Sequence, residues 1–375
     1  MTNELTQPFT YHRGVVAANR IMMAPMVAQA SDEQTRKVHA DDLAFYGLRS
    51  GAAGTIVSGA MNVTDRGWGF DRGLSIDSDD CLPGLTELAT AMKKDGAAAV
   101  AQLYHGGREA HNAAARFGWT QGPSTMQFPW LDTETKEMSD EQIHEVIAAF
   151  RAATRRAIDA GFDGVEVHGA NHYLLQQFFS AYSNRRDDEW GGDLERRMAF
   201  PLACLDASLA EAETAGRPFL VGYRISPDEV HGDNAGYTIV ESLELIDAIA
   251  AREVDYLSVS LWTGYDAIPP GKDRSYGELI RERVAGRCPV AIVSGIHDQA
   301  SAEDALQHGD LVAVGRAALI DPQFATKIAQ GRGDEIRQDV EGLDLTKDLA
   351  LTPELINWFR PEVGLLPPIK GLAFD

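Results

Sequence analysis

Eight short runs of apolar and β-branched residues recur along the chain, at 21–25, 55–60, 98–104, 164–168, 219–225, 256–261, 290–294 and 311–314. They are apolar almost throughout, without the alternation of a half-exposed strand, which is the pattern of strands buried on both faces in a parallel sheet. Between them the apolar positions return every three or four residues. The clearest case is 140–160, where Ile143, Val146, Ile147, Phe150, Ala157 and Ile158 fall on one stripe of a helix. Ser139 and Gln142 form a capping box at its start and Gly161 ends it. Thr238 and Glu241 repeat the starting signature ahead of a helix over 239–251. Further helices are expected over 40–50, 85–94, 194–215, 276–285, 300–308 and 322–330.

Strand and helix alternate eight times, which specifies an α/β fold with parallel strands. The count of eight favours a closed (β/α)8 TIM barrel over an open, doubly wound sheet. One domain over 1–375 is expected, with no low-complexity linker and no internal repeat. The longest irregular stretch, about 105–138, follows the third strand and is expected to fold over the active face. Its Trp119, Phe128 and Trp130 suit either a substrate entrance or the anchoring of a long loop. A tail of about 331–375 follows the eighth strand.

Charge narrows the range of partners. Acidic residues outnumber basic ones, 56 to 34, and the formal charge of −22 repels nucleic acid. An anionic ligand must then be held by a few local groups, such as a buried arginine or a helix N-terminus. Cys81, Cys204 and Cys288 are isolated in sequence, as expected of reduced thiols in the cytoplasm. No cysteine spacing marks a metal site, none is expected, and no run is long and apolar enough for a membrane span.

In a barrel of this kind, chemistry sits where strands end and the following loops begin. The third run closes in AQLYHGGR with Gln102, and the fifth in GYRISP with Arg224. The fourth leads into HGANHY, which gathers His168, Asn171 and Tyr173. The seventh and eighth end in VSGI and VGRAAL. Loops at these two places often bind phosphate through backbone N–H groups that glycine leaves open, here at Gly295 and Gly315, with Arg316 supplying charge. Taken singly, each residue also has a plain reading: Arg224 as an ion pair inside the barrel, Gln102 as a capped loop end, Asn171 as a helix cap, Tyr173 as packing.

NRIMMAPM, AQLYHGGR, HGAN-x-YLLQQF, SNRRDDEWGG, YRISP, VSGI and VGRAALIDP, in this order and spacing, resemble the old yellow enzyme family, and within it the bacterial NADH-dependent flavin oxidoreductases. The resemblance implies a tightly bound, non-covalent FMN across the barrel mouth, reduced by NADH or NADPH. It places the phosphate on Ser294, Gly295, Gly315 and Arg316, and the ring against Ala24, Pro25, Met26, Val27 and Gly59. Gln102 and Arg224 would meet the ring edge. It further implies reduction of electron-poor alkenes such as enones, maleimides and nitroalkenes. His168 and Asn171 would bind the substrate oxygen and Tyr173 would deliver a proton. Arg185 and Arg186 would pair with the neighbouring acids to fix their loop.

Three positions depart from the family pattern. Val27 stands where relatives commonly carry Thr or Cys, Gln29 where the bacterial branch often has Tyr, and His172 where Gly is usual. With Trp262, the last two are candidate substrate-lining residues. The tail's apolar residues suit docking on a second subunit, as a homodimer or higher oligomer, or packing on their own barrel. Two other readings of the chain are a cofactor-free, phosphate-binding isomerase or lyase and a flavin-binding protein without catalysis.

Overall fold

A computed structural model describes residues 4–363 and 366–372. Its eight barrel strands are β1 Ile21–Met23, β2 Thr55–Val57, β3 Ala98–Tyr104, β4 Gly164–Gly169, β5 Leu220–Ile225, β6 Tyr256–Val259, β7 Val290–Val293 and β8 Leu311–Val314. Each pairs in parallel with the next, and β8 returns to β1 through Val312↔Ile21 and Val314↔Met23. The closed parallel barrel expected from the apolar runs is therefore present. Several strands stop short of the expected ends because residues such as Ala24–Pro25 and Ser260–Leu261 have already turned into loops. Proline at 25 has no N–H to extend a ladder.

Side chains alternate between the barrel interior and the helix layer. Met22, Val57, Ala98, Val100, Leu220, Tyr256, Ala291, Val293, Leu311 and Ala313 form the inner cluster. Glycines on two strands make room for bulky neighbours. A Cβ at Gly164 would lie 2.3 Å from Leu220, and one at Gly222 would lie 2.2 Å from Tyr256. The same two-residue period carries inward-facing positions upward to Gln102 on β3, Glu166 and His168 on β4, Arg224 on β5 and Ser258 on β6.

The N-terminal end of the barrel is closed by a hairpin pairing Phe9–Thr10 with Val16–Ala17. Its Tyr11 hydroxyl bonds Thr55 Oγ1 at 2.9 Å, and Arg13 pairs with Asp255 at 3.0 Å. The outer helices match the expected ones within a few residues. One helix starts three residues early, as Leu82–Met92, because Pro83 suits a first turn. The capping box of Asp140–Asp159 is formed. Thr238 occupies the N-cap of Ile239–Ala250, but its side chain makes no capping bond, so that half of the expected signature is absent.

The 105–138 stretch contains a helix, His111–Phe117, and a short parallel pair, Thr120–Gly122 with Thr135–Glu137. Phe128 is buried and Trp119 lies near Arg66 and Lys136, so of the three aromatics only Trp130 reaches the cavity described below. Arg186 pairs with Asp188 at 2.5 Å as expected. Arg185 does not follow: it binds the Tyr182 carbonyl rather than an acid. The tail packs on its own barrel, with Leu349, Leu351, Leu355, Phe359 and Ile369 buried in the main core. All three cysteines are buried free thiols. Among the described residues no helix is long and apolar enough to cross a membrane.

Candidate active site

A cavity of about 1470 Å³ opens at the C-terminal ends of the strands. Pro25, Met26, Val27, Gln29, Gln102, His168, Asn171, His172, Tyr173, Arg224, Trp262, Ser294, Gly295, Gly315 and Arg316 all line it. Residues scattered from 25 to 316 are thus brought to one place. Ala24 and Gly59 are not on the wall. Ala24 packs in the inner cluster, and Gly59 supports the loop behind the wall, where a Cβ would come within 2.7 Å of the Met26 carbonyl. Trp262 is 70% exposed at the rim. Gln29 is buried and holds the Arg72 backbone N–H at 2.9 Å.

His168 ends β4 facing inward, and its Nδ1 accepts the Ala170 backbone N–H at 3.2 Å. An acceptor Nδ1 in a neutral ring leaves the proton on Nε2. Burial, reinforced by the Arg224 charge, holds the imidazole pKa well below its usual range, so the ring stays neutral. Asn171 is fixed by a chain of hydrogen bonds: Arg224 Nη2 donates to Ser260 Oγ at 3.1 Å, and Ser260 donates to Asn171 Oδ1 at 2.8 Å. With its oxygen occupied, Asn171 has only the Nδ2 hydrogens to offer a ligand. Asn171 and His172 both sit at positive φ, 56° and 67°, which turns the loop sharply between strand and helix.

Tyr173 starts the helix Leu174–Phe179, with its ring edge-on to His168 at 5.0 Å and to Tyr104 at 5.1 Å. Its hydroxyl makes no hydrogen bond among the described residues. Burial, with smaller contributions from Tyr104 and Glu109, pushes its pKa well above the usual value, so the hydroxyl keeps its proton.

Below these groups lies a polar layer of which the sequence reading named Gln102 and Arg224 but passed over Glu166, Ser258 and Ser260. Gln102 Nε2 donates to Glu166 Oε1 at 2.6 Å. Glu166 is fully buried, and burial pushes its carboxyl pKa up, against the opposing pull of Arg224. No Arg224–Glu166 ion pair within bonding distance forms. Arg224 instead donates to Ser258 and Ser260, each at 3.1 Å. A signal was present: a glutamate inside the apolar run GVEVH, and serines in YLSVS, at the same inward parity as His168.

The sequence model of the NADH:flavin oxidoreductase / NADH oxidase family matches residues 4–335. The chain belongs to this family. The flavin oxidoreductase is 40% identical over 347 residues to a probable NADH-dependent flavin oxidoreductase, YqiG, of Bacillus subtilis, covering 92% of each chain. It is 40% identical over 335 residues to the NADH:acrylate oxidoreductase of Vibrio harveyi, covering 86% of this chain but only 33% of that longer protein. Among solved structures, morphinone reductase in complex with tetrahydroNAD superposes with a TM-score of 0.75 at 26% identity, covering 88% of this chain and 91% of that one. The family resemblance read from the motifs therefore holds. FMN is the cofactor and NADH or NADPH the reductant, which sets aside the cofactor-free isomerase or lyase.

The wall fits such a cofactor. Arg224 Nε, on this wall, is a buried polar atom without a protein partner, an arrangement that costs free energy unless a ligand or water answers it. On the other side, Ser294 and Gly295 hold consecutive positive φ values of 88° and 75°. A Cβ at Gly295 or Gly315 would meet nothing nearer than 3.7 Å, so the backbone there is open to a ligand.

Proposed function

We propose that this flavin oxidoreductase reduces electron-poor C=C bonds, such as those of enones, maleimides and nitroalkenes, with NAD(P)H in a ping-pong cycle. The observation that carries the reading is the pair of directed donors, His168 Nε2–H and Asn171 Nδ2–H, whose other polar atoms are held by Ala170 and Ser260. FMN, when bound, would supply the hydride chemistry between NAD(P)H and the alkene. Gln102 and Arg224 would hold its ring edge, and Ser294, Gly295, Gly315 and Arg316 would hold its phosphate.

The chain's own residues do the rest. When hydride reaches the β-carbon, negative charge gathers on the carbonyl or nitro oxygen. Two donors already in place stabilise that charge without reorganisation, as in an oxyanion hole. Both are neutral, so they bind the substrate oxygen by hydrogen bonding. Tyr173, kept protonated by its surroundings, gives a proton to the α-carbon. Acrylate, named for the Vibrio harveyi relative, is itself an electron-poor alkene.

The test is the pair His168→Ala with Asn171→Ala. One oxyanion donor contributes roughly 2.7–4 kcal/mol in a well-studied enzyme, so the double variant loses most enone reduction while retaining its yellow FMN. Unchanged cyclohexenone turnover overturns the assignment. A flavin-binding protein without catalysis would bind FMN and turn over no alkene even as wild type.

A further inference from the structure

We propose that His172, Glu229 and His231 form a binding site for one divalent transition-metal ion, of which zinc is the probe. The three residues come from two loops: His172 follows β4, while Glu229 and His231 belong to a hairpin after β5 that pairs Glu229–His231 with Asn234–Tyr237. Glu229 Oε1 lies 3.3 Å from His231 Nε2, and its Oε2 lies 3.8 Å from His172 Nδ1. The three ligand atoms all fall within 4.8 Å of one another. A tetrahedral zinc ion with bonds of about 2.0–2.1 Å sets its ligand atoms about 3.3 Å apart. The Glu229–His231 spacing already meets this, and His172, 39% exposed in its side chain, needs only a small swing inward.

The carboxylate is prepared for the role. Its side chain is fully buried, and Ser180 Oγ and Gln176 Nε2 each donate to one of its oxygens at 2.7 Å, as partners behind a metal ligand commonly do. Trp130 stacks on the His231 ring at 4.8 Å and fixes its plane.

Charge permits a cation despite Arg108. That guanidinium comes no closer than 4.0 Å to Glu229 and is engaged with Glu109 at 3.0 Å. Arg108, Glu109 and Glu229 together carry one net negative charge. Two imidazoles and one carboxylate select zinc, cobalt or nickel over magnesium or calcium, which prefer oxygen ligands.

Bound there, an ion ties the loop holding Asn171 and Tyr173 to the hairpin beside it. The experiment is equilibrium dialysis of the FMN-loaded full chain against zinc chloride, with elemental analysis and thermal melts. Wild type takes up one equivalent and melts higher in zinc. His172→Ala and His231→Ala each weaken binding at least tenfold and abolish the shift. His111→Ala, an exposed histidine of the same rim, keeps both. Retained FMN absorbance confirms that each variant is folded. Absence of saturable uptake at millimolar zinc, or wild-type uptake by His231→Ala, overturns the proposal. The readout involves no turnover, so it stands or falls apart from the alkene assignment.

Discussion

Ser260 gives its hydroxyl hydrogen to the Asn171 amide oxygen at 2.8 Å while its own oxygen is held by Arg224 at 3.1 Å. Arg224 can only donate, which leaves the serine hydrogen for Asn171 Oδ1, and the amide presents its NH2 end to the cavity. Ser260 is thus a positioning residue. A single neutral hydrogen bond is worth about 1 kcal/mol, so Ser260→Ala should cut enone kcat/KM by roughly fivefold. The loss falls on the alkene half of the cycle, with reduction by NAD(P)H little changed. Ser260→Thr, which keeps the hydroxyl, should restore most of it. Equal slowing of both half-reactions in stopped-flow traces would indicate a general structural defect instead.

The pH profile offers a second check. His168 is held neutral by burial and by Arg224, and Tyr173 is held protonated by burial. Neither group should titrate across the neutral range. Re-oxidation by an enone should therefore show no acidic limb near pH 6.5, the ordinary histidine value, and no alkaline limb below about pH 10. Tyr173→Phe lowers this rate at every pH while sparing reduction by NAD(P)H. An acidic limb near pH 6.5 that disappears in His168→Ala would contradict the neutral-donor role.

Much of the fold was legible because a strand buried on both faces has an unmistakable composition, and eight of them left little choice of architecture. The site was legible where residue and motif coincided, as at His168, Asn171 and Arg224. Ser260 and Glu166 escaped because their importance lies in which way they face, and a strand's facing is fixed only once its neighbours are known. The His172–Glu229–His231 cluster was hidden for a simpler reason: its members are neighbours only after β4 and β5 stand side by side. Trp119 and Phe128 show the opposite limit, since an aromatic in a long loop looks the same whether it packs inward or lines an opening.

Stability provides a third prediction, away from the cavity. Asp42 sits in the first turn of the helix Ala40–Leu48, 1% exposed, and accepts from the His39 backbone N–H and from Ser31. Burial outweighs those bonds and pushes its carboxyl pKa up to about 6. An unfolded aspartate titrates near 3.9. Between these values the folded state holds a proton that the unfolded state has lost, so this group's contribution to stability falls as pH rises from about 4 to about 6. The full change is about 2–3 kcal/mol. Urea midpoints of wild type and Asp42→Asn, compared across this range, should diverge in favour of the variant as pH rises. Parallel curves would mean that Asp42 is not under such strain.

The hairpin that seals the barrel floor also sets a timetable. Arg13 and Tyr11 leave the ribosome long before Asp255 and Tyr256, their partners across the floor. At roughly 5–20 residues per second, the wait is roughly ten to fifty seconds. During that interval the hairpin has no floor to close, and the strands already made have an open edge on β1. The last contacts of the barrel are therefore among its longest in sequence, and loop-closure entropy makes them the slowest to form. A chain so ordered needs its early strands kept apart from other copies until β6 and β8 arrive, and its dependence on folding helpers should be greatest in that half-built window.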